Sequence, residues 1–150
     1  MRVQVRRTRS LLVALLAIAP AAWGAVVHSP DGRLAVTVDV DPDGIPQYSA
    51  SYGGNEVMPA GKLGLRFESR PAMDAGFRVV GTATTSHDAT WEQPWGERRF
   101  VRDHHRELRV DFESTTNVAR RFSLRLRVFN DGFGFRYEVP SQPGYDGAVN

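Results

Sequence analysis

Alternation of apolar and polar residues with a period of two is the feature that most constrains the fold of this chain. It recurs in short runs over residues 25–140, where no stretch shows the 3.6-residue period of an amphipathic helix. Many short strands at this spacing predict an all-β fold, an antiparallel β-sandwich or barrel. The apolar sets are Leu34/Val36/Val38/Val40, Tyr48/Ala50/Tyr52, Leu63/Leu65/Phe67, Phe77/Val79, Leu108/Val110/Phe112, Phe122/Leu124/Leu126/Val128 and Phe133/Phe135/Tyr137/Val139.

Turn residues separate these runs. Ser29-Pro30-Asp31-Gly32 and Asp41-Pro42-Asp43-Gly44 each carry Pro second and Gly last, as a type I turn followed by a left-handed glycine requires. The second of these motifs, with Asp39 before it, also begins like a calcium-binding loop. Its twelfth position, however, is Ala50, where such a loop needs a bidentate glutamate. We favour the turn and keep the calcium loop as the alternative.

Charge suggests a register for the hairpin around residues 114–118. Pairing Arg109 with Arg125 would set like charges opposite each other, which destabilises a sheet. The register that places each arginine opposite a carboxylate leaves a five-residue loop, an ordinary hairpin length. We therefore predict that the opposed pairs are Asp111 with Arg121 and Glu107 with Arg125.

The N-terminal segment has the layout of a secretory signal peptide. Four arginines within the first nine residues precede the apolar run 11–19, and Ala22 and Gly24 are small residues suited to a cleavage site. The run is too short to span a bilayer, which needs roughly 20 residues. The sequence therefore predicts a signal peptide over residues 1–24 and a domain over 25–150. It also predicts a secreted or periplasmic location without membrane attachment after cleavage.

Composition removes several classes of function. The chain has no cysteine, which excludes a disulfide framework, a cysteine-ligated metal and a catalytic thiol. Its formal net charge is +2, but without the four N-terminal arginines the 19 basic residues fall to 15 against 17 acidic ones. A slightly acidic domain has no electrostatic reason to bind nucleic acid.

Residues 91–99 (WEQPWGERR) hold the most unusual cluster of side chains. Two tryptophans, two glutamates and two arginines occur together, and a pyranose offers C–H groups to aromatic faces and hydroxyls to charged planar groups. This composition predicts a sugar-facing surface. The alternative is that one tryptophan belongs to the core and that the charges face solvent.

His104 and His105 are further candidates. Neighbours on a strand point to opposite faces, so both cannot ligate one metal ion, and we expect a histidine bonded within the sheet or facing a cleft. We assign carbohydrate binding to Trp95, Glu97, His104 and Glu107, and we assign no residue to catalysis or to a metal. A glycosidase-type pair of carboxylates among the glutamates is an alternative that sequence spacing does not establish.

The motifs, taken in order, resemble the N-terminal domain of glycoside hydrolase family 97, a family of secreted bacterial α-glucosidases and α-galactosidases. One departure is DHHRE (103–107), where the family has an Asn-x-Tyr-Asn-Glu-like run; this puts the substrate specificity in doubt. The segments that carry the resemblance are SPDGRL (29–34), YSASY (48–52), LGL (63–65), WEQPWGE (91–97), DHHREL (103–108) and RVFNDGFGFRYE (127–138).

The resemblance implies a galactose-mutarotase-like β-super-sandwich, packed on a catalytic (β/α)8 barrel and followed by a small β domain. In the α-glucosidase members it implies an active-site calcium ion held by glutamates, one of them from a segment that would follow Asn150, with the catalytic carboxylates on the barrel. No catalytic residue of the family falls on this chain. We therefore expect a truncated, inactive N-terminal domain of an exported hydrolase, whose partners are an oligosaccharide substrate and its own barrel.

Two other functions stay open. One is a free-standing periplasmic carbohydrate-binding module without catalysis, in which Trp95 carries the binding. The other is a structural or adhesive sandwich, whose mark would be an exposed edge strand.

Overall fold

A computed structural model describes residues 24–116 and 118–145 of the chain, so the predicted signal peptide, apart from Gly24, lies outside the described residues. Within those two ranges there is no helix, and hence none long and apolar enough to cross a membrane. The strands are β1 (Ala25–His28), β2 (Leu34–Val40), β3 (Pro46–Tyr52), β4 (Asn55–Lys62), β5 (Phe77–Glu92), β6 (Phe100–Ser114), β7 (Arg121–Val128) and β8 (Phe133–Glu138).

The strands form two antiparallel sheets in which chain order is also spatial order. The first sheet is β1-β2-β3-β4 and the second is β5-β6-β7-β8. One apolar cluster contains buried residues of both sheets, from Val36 in the first to Leu124 in the second. The predicted antiparallel β-sandwich is therefore confirmed.

Alternation correctly predicts the buried faces of the central strands. Along β2, Leu34, Val36 and Val38 are buried, and the residues between them are only partly buried. In the second sheet the ring of Phe122 lies 4.7 Å from that of Phe112 and 5.1 Å from that of Phe77. These aromatic contacts tie β5, β6 and β7 together at the centre of the core.

The two Pro-Asp-Gly turns form as predicted. The backbone N–H of Gly44 donates to the Asp41 carbonyl at 2.9 Å, and Gly44 has a φ of 76°. The Asp41 carboxylate accepts the backbone N–H groups of Asp43 and Ile45 at 2.9 and 2.8 Å, so it serves the turn itself. A Cβ on Gly44 would lie 2.9 Å from the Cα of Gly76, which makes glycine necessary where this turn packs against the start of β5.

The third apolar set does not form the predicted strand. β4 ends before Leu63, and beyond it Leu65 makes only an isolated bridge with Met73. β4 lies at the edge of its sheet, and nearly all its residues are exposed. Such a strand has no apolar alternation to reveal it, and Pro59 within it is tolerated because an edge strand need not donate every N–H.

The predicted register of the β6–β7 hairpin is wrong. Asp111 lies opposite Ser123 and Glu107 opposite Arg127, so neither predicted pair is directly opposed, and Arg109 lies opposite Arg125. The observed register places the buried residues directly opposite one another, which packs the core in matched pairs. These pairs are Leu108 with Leu126, Val110 with Leu124 and Phe112 with Phe122.

Carboxylates remove the cost of setting two arginines opposite each other. The Nε of Arg109 donates to Asp111 at 2.8 Å, whereas Arg125 donates to Glu107 at 2.5 Å and to Glu138 at 2.8 Å. Glu138 belongs to β8, a third strand that pairwise reasoning about β6 and β7 does not include. Each guanidinium is thus paired with a carboxylate, and core packing decides the register.

Candidate functional site

β5 and β6 are the longest strands, with 16 and 15 residues. β7 pairs with β6 only over residues 106–113, so the hairpin beyond that point, residues 87–105, has two strands only. We term this part the arm. All its β5 residues are exposed, so the arm is a ribbon that projects from the sandwich.

The tip of the arm presents aromatic and charged side chains to solvent. Trp95 is 83% exposed, and Trp91 and Phe100 are exposed as well. Glu97 is exposed in the same turn, and Arg99 lies over the Phe100 ring, 5.3 Å from its centroid. Neither Trp91 nor Trp95 is buried, so the interpretation that one of them belongs to the core is wrong.

Ion pairs connect the two strands on one face of the arm. Arg102 holds Asp88 through two hydrogen bonds of 2.8 and 2.7 Å, and these lower the pKa of Asp88. His104 lies directly opposite Asp88, with its Nε2 3.9 Å from the carboxylate. His104 is therefore a half-buried neighbour of the Asp88–Arg102 ion pair.

A histidine pair shares a carboxylate on the opposite face. His105 is 4% exposed, its Nδ1 lies 2.5 Å from Asp103 Oδ1, and its ring centroid is 5.1 Å from that of Phe129. His87 is directly opposite His105, with 5.1 Å between the ring centroids, and its Nε2 is 3.6 Å from the second oxygen of Asp103. His104 and His105 thus face opposite ways, as predicted, and His105 is bonded within the sheet.

Glu107 anchors a charged network next to this pair. It is 9% exposed, and its two oxygens accept hydrogen bonds from Arg125 at 2.5 Å and from Arg127 at 2.8 Å. Burial opposes the ionisation of Glu107, but the hydrogen bonds from Arg127 and Arg125 outweigh it and lower the pKa. The hydrogen bond from Arg125 likewise lowers the pKa of Glu138 to about 2. Glu107 is therefore an ionised anchor, and a role as proton donor does not fit it.

The four residues predicted to bind carbohydrate lie in three places. Trp95 and Glu97 are at the tip, His104 is on one face of β6, and Glu107 is on the other, because three positions along a strand reverse the direction of a side chain. Their contact with sugar stays a prediction.

Sequence reasoning placed Arg125 beside Glu107 but missed the other neighbours of this carboxylate. These side chains come from the two strands that flank β6, because Thr85 of β5 and Arg127 of β7 lie directly opposite Glu107 on either side. A signal for the missed part of β5 exists in residues 82–90 (TATTSHDAT), which are rich in β-branched threonine. This threonine content could have been used to predict a longer β5 that includes His87.

The described residues offer no donor set for a metal. No group of three or more His, Asp or Glu side chains within 24–116 and 118–145 is arranged to hold an ion. The calcium that the family resemblance implies for the whole enzyme stays a prediction.

Solved enzymes contain a domain of the same shape. A glycoside hydrolase family 97 enzyme from Pseudoalteromonas sp. strain K8, solved with panose and with acarbose, matches with a TM-score of 0.76 and 36% identity over 80% of this chain and 18% of the enzyme. A β-arabinopyranosidase matches with a TM-score of 0.72 and 25% identity over 80% of this chain and 19% of the enzyme. The chain therefore spans about a fifth of these enzymes.

Fold and likeness together define a β-sandwich domain of a glycoside hydrolase. The chain belongs to the glycosyl-hydrolase 97 N-terminal family, whose model matches residues 27–149. The family resemblance predicted from the sequence motifs is confirmed.

Proposed function

We propose that this chain is the N-terminal β-sandwich of an exported glycoside hydrolase that acts on α-glucosides or α-galactosides. In the whole enzyme the sandwich supports a catalytic (β/α)8 barrel, and the arm contributes to the sugar cleft. The fold of the complete N-terminal domain is proposed to be a galactose-mutarotase-like super-sandwich.

The arm is the observation that carries this proposal. A two-stranded ribbon without further cover is marginally stable in water, and clustered exposed aromatics mark an interaction site. Both properties are explained if the arm lies against the barrel with Trp95 towards the sugar. The complexes of the Pseudoalteromonas enzyme with panose and acarbose support an α-glucoside as the substrate.

Export and calcium belong to the same proposal. Residues 1–24 would direct the enzyme to the periplasm or the medium and then be removed. Calcium is proposed for the active site of the whole enzyme, where glutamates would hold it as the family resemblance implies.

The size and activity of the native polypeptide test this function. An antibody raised against the 150-residue chain should precipitate, from source cells, a polypeptide several times larger than 16.7 kDa. The precipitated polypeptide should hydrolyse 4-nitrophenyl α-glucoside or 4-nitrophenyl α-galactoside. A polypeptide of 16.7 kDa or less without hydrolysis would contradict the proposal.

The role of the tip has its own test. In the native enzyme, Trp95→Ala should lower kcat/KM for the α-glycoside at least tenfold, whereas Val57→Ala should leave it unchanged. Val57 is a suitable control because it is 61% exposed and lies on the other sheet. Equal effects of the two substitutions on kcat/KM would show that the arm does not contribute to the cleft.

The alternative is a free-standing carbohydrate-binding module. One observation favours this alternative: among the described residues, the buried apolar side chains of both sheets form one cluster. The sandwich therefore has a core of its own that can stabilise it. In that case the precipitated polypeptide would be small, and Trp95→Ala would abolish its binding to oligosaccharide.

A further inference from the structure

Two adjoining depressions form a groove on the outer face of the second sheet, the face turned away from the core. The first, about 220 Å³, is lined by His87, Asp103, His105, Glu107 and Arg127, among others. The second, about 250 Å³, is lined by Arg127, Phe129 and Gly134, among others. They share Arg127, and His105 of the first contacts Phe129 of the second. We propose that this groove is a second oligosaccharide site, separate from the tip of the arm, with one sugar ring in each depression.

Strand register builds the groove. Thr85, Glu107, Arg127 and Gly134 lie directly opposite one another across β5, β6, β7 and β8. Gly134 ends this row without a side chain, and a Cβ there would meet no atom within 4 Å. The row therefore opens at β8, where the second depression lies.

The walls of the groove are held before any ligand arrives. Glu107 is fixed by two arginines, and the buried His105 is fixed by Asp103 and by the Phe129 ring. A ligand would not have to order these groups, and such preorganisation favours binding.

Unused hydrogen-bonding groups line the same walls. Among contacts within the described residues, Arg127 bonds only through its Nε, so its two terminal nitrogens are available. The Thr85 hydroxyl likewise has no partner there, and the half-exposed His87 stands at the rim, 3.6 Å from Asp103. Together they offer the donors and acceptors that sugar hydroxyls require.

Charge balance points to a neutral ligand. Glu107 pairs with Arg125 and Arg127, and Glu138 pairs with Arg125 and Arg136, whereas Asp103 lies against His87 and His105. These three carboxylates and three guanidinium groups cancel in formal charge. Phe129 adds an aromatic wall. The two depressions together fall in the ~300–1,000 Å³ range of small-molecule sites. A neutral polyol suits this lining better than a phosphate or a cation does.

The choice of ligand class rests on the proposed function, but the test does not. The ¹⁵N-labelled 150-residue chain is titrated with panose while amide shifts are followed. We expect shifts at His105, Glu107 and Arg127. We expect about tenfold weaker binding in His87→Ala and Thr85→Val, the effect of one lost hydrogen bond to a ligand.

A matched control keeps the result decisive. Val57→Ala alters an exposed side chain on the other sheet, far from the groove and from the arm, and this variant should bind panose as the unaltered chain does. Unchanged near-ultraviolet circular dichroism shows that each variant is folded. The absence of shifts in the groove, or an equal loss in Val57→Ala, would overturn the proposal. Loss confined to Trp95→Ala would also overturn it, by placing the site at the tip. The precipitation test of the native enzyme is independent of all these outcomes.

Discussion

The base and the arm of the β5–β6 hairpin are parts of the same two strands, yet different forces hold them. At the base, Phe77 and Phe112 are buried between the sheets and packed on Phe122. In the arm, Asp88 and Arg102 meet across the strands in an exposed ion pair. Burial of a large apolar side chain contributes about 1.5–3 kcal/mol, whereas an exposed ion pair contributes about 0–1 kcal/mol.

This difference indicates that the base and the arm have different roles. The base can specify the fold because its apolar side chains are buried on folding. The arm gains little from its own contacts, and under the proposed function its length and its exposed aromatics are explained by contact with the barrel and the sugar. Its substitutions should therefore affect binding or activity more than stability.

The largest expected effect comes from the base. Phe122→Ala removes a ring that is 1% exposed and should lower the free energy of unfolding by about 3–5 kcal/mol. Trp95→Ala, at the tip, should change it by less than about 0.5 kcal/mol. Urea denaturation measures the free energy of unfolding of both variants. Comparable losses in the two would contradict the distinction between base and arm.

Glu107, at the junction of base and arm, should have an intermediate effect. Glu107→Gln removes hydrogen bonds between charged groups and leaves Arg125 and Arg127 with fewer partners, at a cost of about 1–3 kcal/mol in unfolding free energy. The exposed Glu97→Gln serves as the control. A neutral outcome for Glu107→Gln in urea denaturation would mean that the network does not stabilise the junction.

Acid should weaken the same network. The pKa of Glu138 falls from its ordinary 4.5 to about 2 in the folded protein, so its contribution is complete above pH 4.5 and is lost as the pH falls towards 2. Unfolding free energies measured between pH 6 and 2 should decline over this window, and Glu138→Gln should make the decline shallower. An unchanged slope in this variant would show that other carboxylates govern acid unfolding.

The smallest effect is expected in the arm itself. Arg102→Gln breaks the pair with Asp88 and should lower the global unfolding free energy by no more than about 0.5 kcal/mol. It should nevertheless speed amide exchange at residues 87–105. A large global loss would show that the arm folds as one cooperative unit with the base.

The sequence correctly predicts the strands that bury one of their two faces. Val36 and Leu124 lie on such faces, and alternation assigns both correctly. It fails for β4 and for the distal half of β5, where both faces are exposed and no apolar pattern remains. The β6–β7 register was mispredicted because Glu138, on a third strand, neutralises Arg125.

The candidate site was less predictable than the fold for the same reason. Trp95 and Glu97 stand out as a local cluster of unusual composition. Glu107 acquires its surroundings only when three strands align, which brings Thr85 and Arg127 beside it. Pairings between residues distant in sequence do not show in local composition.

Hydrogen exchange of the chain, alone and within the native enzyme, tests the central claim most directly. In the isolated chain, amides of residues 87–105 should exchange much faster than those of residues 106–113, which are paired with β7. In the native enzyme the arm should become protected while the base stays unchanged. Equal protection of arm and base in the isolated chain, or an arm that exchanges as fast in the enzyme as alone, would contradict the account.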